Sequence, residues 1–172
     1  GDVAMTVPVL RAFSLCYPEI KITVVSRPFF KPFFDGIPNV AFFGVDLNQR
    51  HKGFLGLTRL FSDLKKLNVD AVADLHNVLR SQVVRTFFAL SGKKVAATDK
   101  GRAAKKALTR IENKLFEPVK SMVERHCTTF EKLGFPIDLK NPQFPQKATL
   151  SEEITTITGT KVTNWIGIAP FA

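Results

Sequence analysis

An aspartate near the start of the chain is the first side chain whose position suggests chemistry. Asp2 follows a glycine and precedes an apolar run with helical spacing. A Gly-Asp pair in that place is typical of a strand-to-helix turn, where α/β enzymes place reactive groups. A carboxylate there can take a proton from a hydroxyl within hydrogen-bonding reach. It can equally cap the helix that begins near Thr6 or satisfy the turn, and the residues alone leave both interpretations open.

A second group of polar side chains follows a predicted strand, in the stretch VDAVADLHNVLRS. Polar groups beyond the carboxyl end of a parallel strand face a ligand crevice, and the N-terminus of the next helix favours an anion. The residues concerned are Asp74, His76, Asn77, Arg80 and Ser81. The competing interpretation has Asp74 and Asn77 as strand-end and cap residues, with Arg80 on a solvent-facing helix surface.

Two basic segments could bind an anion. The loop DLNQRHKGFLG carries Arg50, His51 and Lys52, and a guanidinium suits phosphate or carboxylate through paired hydrogen bonds. The stretch DKGRAAKKALTR carries Arg102 together with Lys105 and Lys106, and the two lysines could also attach weakly to anionic lipid. Ordinary solvated charges are the alternative for both segments.

The composition narrows the class of protein without fixing a partner. A formal net charge of +10 favours anionic partners, whether nucleic acid, phospholipid headgroups or phosphorylated substrates. Sixteen Phe against one Tyr and one Trp indicate an apolar aromatic core, or apolar surface that another domain or a membrane covers. The sequence shows no P-loop, dinucleotide-binding glycine motif, zinc-ligand spacing or Ser-His-Asp pattern, and no aromatic-basic RNA motif.

Strand-like and helix-like segments alternate at short spacing along the chain. Strands are predicted at 21–26 and 40–45, in VDAVADLHN, in KKVAAT and in the final NWIGIAPFA. Helices are predicted at 7–15, 57–67, 80–91, from DKGRAAKKALTR to about Phe116, at 119–133 and from 150 to about 158. This alternation predicts an α/β fold with a parallel sheet and helices on both faces.

Three segments together resemble one family. The opening GDVAMTVPVLRAFSLCYPEIKITVVSRP, the strand and turn VDAVADLHNVLRS, and the segment VERH at 123–126 are similar in order and spacing to ADP-heptose:lipopolysaccharide heptosyltransferases of glycosyltransferase family nine. The resemblance covers nearly the whole chain. It implies a Rossmann-like domain, the N-terminal acceptor-binding half of a two-lobed GT-B enzyme, with its first strand missing before Gly1.

The resemblance also implies a division of the chain. Residues 1–134 would form the truncated acceptor-binding domain, 135–164 the interdomain connector, and 165–172 the first strand of the absent nucleotide-sugar-binding domain. The full-length protein would be an inverting, metal-independent transferase without a cofactor, which moves heptose from ADP-heptose to the inner core of lipopolysaccharide. The fragment alone would then lack most contacts to the donor.

Residue roles follow from the same resemblance. Asp2 matches the proposed catalytic base of the family. The acceptor-binding set would be Arg50, His51, Lys52, His76, Asn77, Arg80, Ser81 and Arg102. The partners would be a lipid A inner-core acceptor and a nucleotide sugar, at the cytoplasmic face of the inner membrane, with peripheral membrane contact and no nucleic acid. The rival interpretation is a non-catalytic basic α/β module that binds nucleic acid or an anionic surface.

Overall fold

A computed structural model describes residues 2–140, 142, 144–145, 149–159, 162–164 and 166. Its four strands are β1 (Ile22–Ser26), β2 (Val40–Gly44), β3 (Ala71–Asp74) and β4 (Lys94–Ala97). Its α-helices are α1 (Val7–Cys16), α2 (Gly53–Lys65), α3 (Leu79–Leu90), α4 (Arg102–Thr109), α5 (Met122–Lys132) and α6 (Glu152–Thr158). Two 3₁₀ helices, Ala4–Thr6 and Pro28–Phe33, complete the elements.

The strands form two parallel pairs. Strand β1 pairs with β2 so that Ile22 lies opposite Val40, and β3 pairs with β4 so that Ala71 lies opposite Lys94. The predicted α/β class and parallel pairing are therefore confirmed. Within the described residues the strands make two two-stranded sheets, where the sequence predicts a single one.

Two hydrophobic cores lie on opposite faces of the strands. Successive strand residues point to opposite sides, and Phe42 packs in the first core while Phe43 packs in the second. Likewise Ala73 and Val72 of β3 divide between the two cores. Helices α1 and α5 cover the first core and α2 and α3 the second. The prediction of helices on both faces is confirmed.

Aromatic packing holds α1 against α5 in the first core. The ring of Phe13 lies 4.8 Å from that of Phe130 and 5.6 Å from that of Phe135, measured between centroids. Tyr17 continues this cluster, and its hydroxyl donates to the carbonyl of Pro136 at 2.9 Å. Truncating a buried Phe of this kind costs about 3–5 kcal/mol. The segment that follows α5 is thereby packed onto the first core.

Helix boundaries differ from the predictions at three places. Helix α2 begins at Gly53, four residues before the predicted Leu57, because Lys52 is still extended and the next residue turns into the helix. Helix α5 begins after Ser121, whose hydroxyl accepts the Glu124 N–H while the glutamate accepts the serine N–H, and this reciprocal cap fixes its start.

Helix α4 is shorter than predicted, and the prediction that it reaches about Phe116 is wrong. It ends at Thr109, and Arg110 is extended. None of its residues is fully buried, so little tertiary packing is available to stabilise further turns of a short helix.

The C-terminal expectations fall largely outside the described residues. Of the predicted strand in NWIGIAPFA, the structure describes only Asn164 and Ile166. Phe135, Ile137 and Leu139 pack against the first core. The boundaries proposed at 134 and 164 remain predictions.

Candidate functional site at the carboxyl ends of β3 and β4

A polar cleft of about 170 Å³ lies beyond the carboxyl ends of β3 and β4. This is the edge at which open α/β sheets bind their ligands. The cleft contains two of the predicted acceptor-binding residues together with four others, and its lining is Asn77, Gln82, Asp99, Lys100, Arg102 and Ala103.

A buried aspartate shapes the turn that forms one wall. Asp74 ends β3, and its carboxylate accepts the backbone N–H groups of His76 at 3.2 Å and Asn77 at 2.7 Å. The guanidinium of Arg85, a residue of α3, donates to the other carboxylate oxygen at 3.0 Å. Because its carboxylate oxygens already accept from these three donors, Asp74 stabilises the turn and is not available to a ligand.

Asn77 joins the ends of the two strands. Its backbone has a positive φ of 46°, and its side-chain amide donates to the carbonyl of Thr98 at 2.9 Å. Its amide oxygen accepts from Gln82 at 3.1 Å and from Arg85 at 3.3 Å. Asn77 therefore lines the cleft chiefly as part of its framework.

The remaining predicted residues of this turn divide into a cap and two exposed side chains. The hydroxyl of Ser81 accepts the Val78 N–H and donates to the Val78 carbonyl, both at 3.0 Å, which closes the first turn of α3. His76 and Arg80 are exposed at the same end of the helix. A ligand at this edge would meet these two side chains rather than the serine.

The opposite wall is the loop between β4 and α4, and Arg125 holds it. The guanidinium is buried against Gly101 and donates to the carbonyl of Asp99 at 3.2 Å and to its carboxylate at 3.3 Å. Its Nε also donates to the carbonyl of Lys120 at 3.0 Å. One arginine of α5 thus fixes the loop that carries Lys100 and Arg102.

The cationic groups of the cleft are Lys100 and Arg102. Neither makes an ion pair with any carboxylate in the part of the chain that the structure describes. Asp99, the nearest acid, is paired with Arg125. The cleft therefore presents two uncompensated positive charges, an arrangement that attracts an anion.

Asp2 is connected to this edge through α5. Its carboxylate is exposed in the turn before the 3₁₀ helix Ala4–Thr6, which packs against α5. Burial lowers the pKa of His126 on α5, and the charge of Asp2 opposes that shift, but among the described residues no hydrogen bond or ion pair joins the two side chains. His126 in turn contacts Thr98, the residue after β4. The 3₁₀ helix after Asp2 and the end of β4 thus both contact α5.

The basic loop after β2 has partners of its own. Arg50 forms a bidentate pair with Asp63 of α2, at 2.7–2.9 Å, and this guanidinium holds the pKa of Asp63 at about 2. His51 is buried, accepts the Asp46 N–H at 3.1 Å and lies 3.4 Å from the Asp63 carboxylate. Lys52 is exposed and pairs with no carboxylate of the described residues. The structure gives Arg50 and His51 roles in joining the loop to α2.

Several residues of the site were not singled out from the sequence. Gln82, Arg85 and Thr98 build the cleft through contacts with residues 5 to 21 positions away. Arg125 belongs to the VERH segment, where its charge suggests ion pairing, and it pairs with Asp99, 26 positions away. Strand-end position was a signal for Thr98, which directly follows KKVAA. His126 also belongs to the VERH segment, but nothing in its spacing indicates that its ring is buried.

The chain matches no known family model, and neither a similar curated protein nor a similar solved structure was found. None of the helices in the described residues is long and apolar enough to cross a membrane. Among those same residues, no group of three or more His, Cys, Asp and Glu side chains could hold a metal ion. Asp2 and the cleft with Lys100 and Arg102 are the features from which a function can be inferred.

Proposed function

We propose that this chain is the acceptor-binding half of an inverting glycosyltransferase of the GT-B type, which transfers heptose from ADP-heptose to the lipopolysaccharide inner core. Two observations support it best. One exposed carboxylate, Asp2, precedes the 3₁₀ helix that packs against α5. The cleft whose loop α5 holds has two cations that pair with no described carboxylate. A base and an anion-binding surface at one edge are what transfer to an anionic sugar acceptor requires.

The chemistry is a single displacement with inversion. A hydroxyl of an inner-core Kdo or heptose attacks the anomeric carbon of the donor, and the bond from that carbon to the ADP oxygen breaks. Asp2 accepts the hydroxyl proton, and ADP leaves with the bonding electrons. Groups that stabilise ADP would belong to the second lobe. The contribution of this half is to hold the acceptor so that its hydroxyl faces both the base and the donor.

Charge in the cleft would orient the acceptor. Lys100 and Arg102 meet its phosphate or carboxylate groups, and Arg80 and His76 extend the contact along the first turn of α3. Lys52 and the exposed part of Arg50, whose side chain is 59% exposed, add positive charge on the side of β2. The proposal therefore assigns the outer cations to binding, and Asn77, Ser81 and His51 to support of the site.

In the proposed domain, a further strand would lie between β1 and β3. Both strand pairs contribute side chains to the first core, including Val24 from β1 and Ala73 from β3. A parallel strand between them would join the two pairs into one five-stranded sheet. The carboxyl end of that added strand would lead into Asp2. This arrangement would bring the Gly-Asp turn, the end of β3 and the end of β4 to one crevice.

The proposed location is the cytoplasmic face of the inner membrane, with peripheral contact. Helix α4 carries Lys105 and Lys106, both exposed, and the following segment exposes Ile111 and Phe116. Basic groups beside apolar side chains favour an anionic bilayer surface. Sedimentation with anionic vesicles should be weakened by Phe116→Ser and unaffected by Leu90→Ser, which removes a similarly exposed side chain from α3. Equal sedimentation of both variants would contradict this location.

The test of the function uses the full-length protein with ADP-heptose and a lipid A core acceptor. Asp2→Asn should reduce turnover by at least a hundredfold, within the range that a general base contributes, while ADP binding and thermal unfolding stay unchanged. Asp70→Asn is the matched control, because Asp70 is fully exposed at the amino end of β3.

Transfer by Asp2→Asn at a rate near that of the wild type would show that Asp2 is not the base. If the wild-type protein transfers no sugar but binds nucleic acid or anionic vesicles, the non-catalytic basic module is the better description.

A further inference from the structure

Helix α5 buries a histidine whose ring has one nitrogen without a hydrogen-bond partner. The side chain of His126 is 1% exposed, and its Nδ1 lies 3.2 Å from the hydroxyl of Thr98. Its other nitrogen, Nε2, has no partner among the described residues. A buried polar atom without a partner is costly, so this position is expected to serve a purpose beyond packing.

The surrounding hydroxyls determine which ring nitrogen carries the proton. Thr129 donates to the carbonyl of Arg125 at 2.9 Å, and its oxygen lies 2.8 Å from that of Thr98. Because the Thr129 hydrogen is already used, the hydrogen between the two hydroxyls comes from Thr98. Thr98 then accepts from the ring, so Nδ1 is protonated and Nε2 carries a bare lone pair.

Asp2 is the acidic group that the N-terminal turn brings to this ring. The 3₁₀ helix that follows Asp2 packs against α5, the helix that carries His126, and among the described residues the carboxylate is not bonded to the ring. In the resting state both groups are hydrogen-bond acceptors, so they cannot bond to each other directly. Once the carboxyl gains a proton it becomes a donor, and Nε2 is an acceptor waiting for it.

We propose that His126 is a positioning residue for Asp2, and that its Nε2 accepts a hydrogen bond from the Asp2 carboxyl as that group takes the proton of the acceptor hydroxyl. This inference rests on the proposed function. The new sugar–oxygen bond forms, the bond to the nucleoside diphosphate breaks, and the proton lies on Asp2, held by Nε2. The bond is absent before proton transfer, so it stabilises the transition state and not the ground state.

Neighbouring acids on α5 and β3 have partners of their own, and Arg11 on α1, whose Nε is buried without a described partner, is a cation that stays protonated. On α5, Glu124 is bound by Ser121 and Arg125 is bound by Asp99, while burial raises the pKa of the Cys127 thiol. On β3, the carboxylate of Asp74 is held by Arg85. Asp2 is thus the exposed acid for which Nε2 is placed.

The decisive variant is His126→Asn in the full-length protein. The asparagine amide can still donate to Thr98 in place of Nδ1, but nothing replaces Nε2. With ADP-heptose and a lipid A core acceptor, kcat should fall about 10- to 100-fold with KM for the acceptor unchanged. His126→Gln, whose amide reaches the position of Nε2, should recover part of that loss.

The pH profile distinguishes this role from a structural one. In the wild type, kcat should fall on acidification as His126 gains a proton and its lone pair is lost, at a pKa below the usual 6.5. In His126→Asn the fall should begin only where a carboxyl group titrates. A merely structural effect would lower kcat evenly and leave the profile unmoved, which would overturn the proposal.

A second variant covers a failure of His126→Asn to fold. Thr98→Val keeps the volume but removes the acceptor of the Nδ1 hydrogen, so the ring proton moves to Nε2 and no lone pair faces Asp2. Its kcat should fall with KM unchanged. If folded variants at both positions keep the wild-type kcat and pH profile while Asp2→Asn is inactive, the pairing is wrong and the proposed function stands. If Asp2→Asn is active, the proposed function itself is wrong.

Discussion

The guanidinium of Arg125 occupies the space that a Cβ on Gly101 would need. Gly101, the residue just before α4, has a positive φ of 63°, and a methyl group built there would overlap the arginine. The same guanidinium binds the carbonyl and carboxylate of Asp99. The absence of a side chain at one position thus lets a buried cation fix the loop that presents Lys100 and Arg102.

Gly101→Ala should therefore destabilise the protein and weaken acceptor binding. The positive φ alone costs about 1–2 kcal/mol for a residue with a Cβ, and displacement of the buried Arg125 from its partners adds about 1–3 kcal/mol. Urea unfolding gives the stability change, and KM for the acceptor reports the loop.

Gly92→Ala is the matched control. Gly92 has a φ of 79°, but a Cβ there meets no atom within 4 Å. The stability that Gly92→Ala loses should therefore be limited to the backbone strain, and KM for the acceptor should not change. Equal stability losses in the two variants would contradict a steric role for Arg125.

The order of elements could be predicted from the sequence because the local signals are strong. The β-branched run ITVVS and the apolar run VAFFG indicate strands, and the predicted ends of both lie within one residue of the observed ends. The end of α4 could not be predicted, because its helical pattern continues to Phe116 while the packing that would sustain it is absent. Sequence shows a helical face but not whether anything covers it.

The site was predictable only where chain position decides it. Asn77 and Arg102 follow β3 and β4, so their place at the carboxyl edge follows from the parallel arrangement. The clamp formed by Arg125 and the bond from Asn77 to Thr98 join residues 26 and 21 positions apart, and no local pattern indicates them. His51 illustrates the converse, since its burial results from α2, whose Gly56 lies against its backbone.

The pair formed by Arg50 and Asp63 should make stability depend on acidity. The guanidinium of Arg50 is the main cause that lowers the pKa of Asp63 from 3.8 to about 2, and hydrogen bonds from His51 and Lys66 add to the effect. A carboxyl group whose pKa is lowered by folding stabilises the folded state fully at a pH above its pKa in the unfolded chain. This stabilisation is lost as the pH falls through its pKa in the folded protein. The difference in unfolding free energy between the wild type and Asp63→Asn should shrink as the pH falls from about 4 to about 2.

Urea unfolding at several pH values measures this difference. Asp35→Asn is the control, because the pair of Asp35 with Lys31 has both side chains 57% exposed and such pairs contribute little. Its difference from the wild type should stay flat over the same range. A difference for Asp63→Asn that is constant with pH would show that the ion pair does not stabilise the fold.

The unpaired charge of Arg102 should matter for the acceptor and not for the fold. Arg102 is exposed at the first residue of α4 and makes no ion pair with a described carboxylate, so reversing its charge breaks no contact that stabilises the protein. Arg102→Glu should raise KM for an anionic acceptor about tenfold or more, because an attractive charge in the cleft becomes repulsive. The effect should diminish at high salt, since exposed charges are screened.

Arg59→Glu makes the same change in net charge on the exposed side of α2, away from the cleft lining, and should leave KM nearly unchanged. If both reversals raise KM equally, overall charge and not the cleft binds the acceptor, and the assignment of Arg102 to the site is wrong.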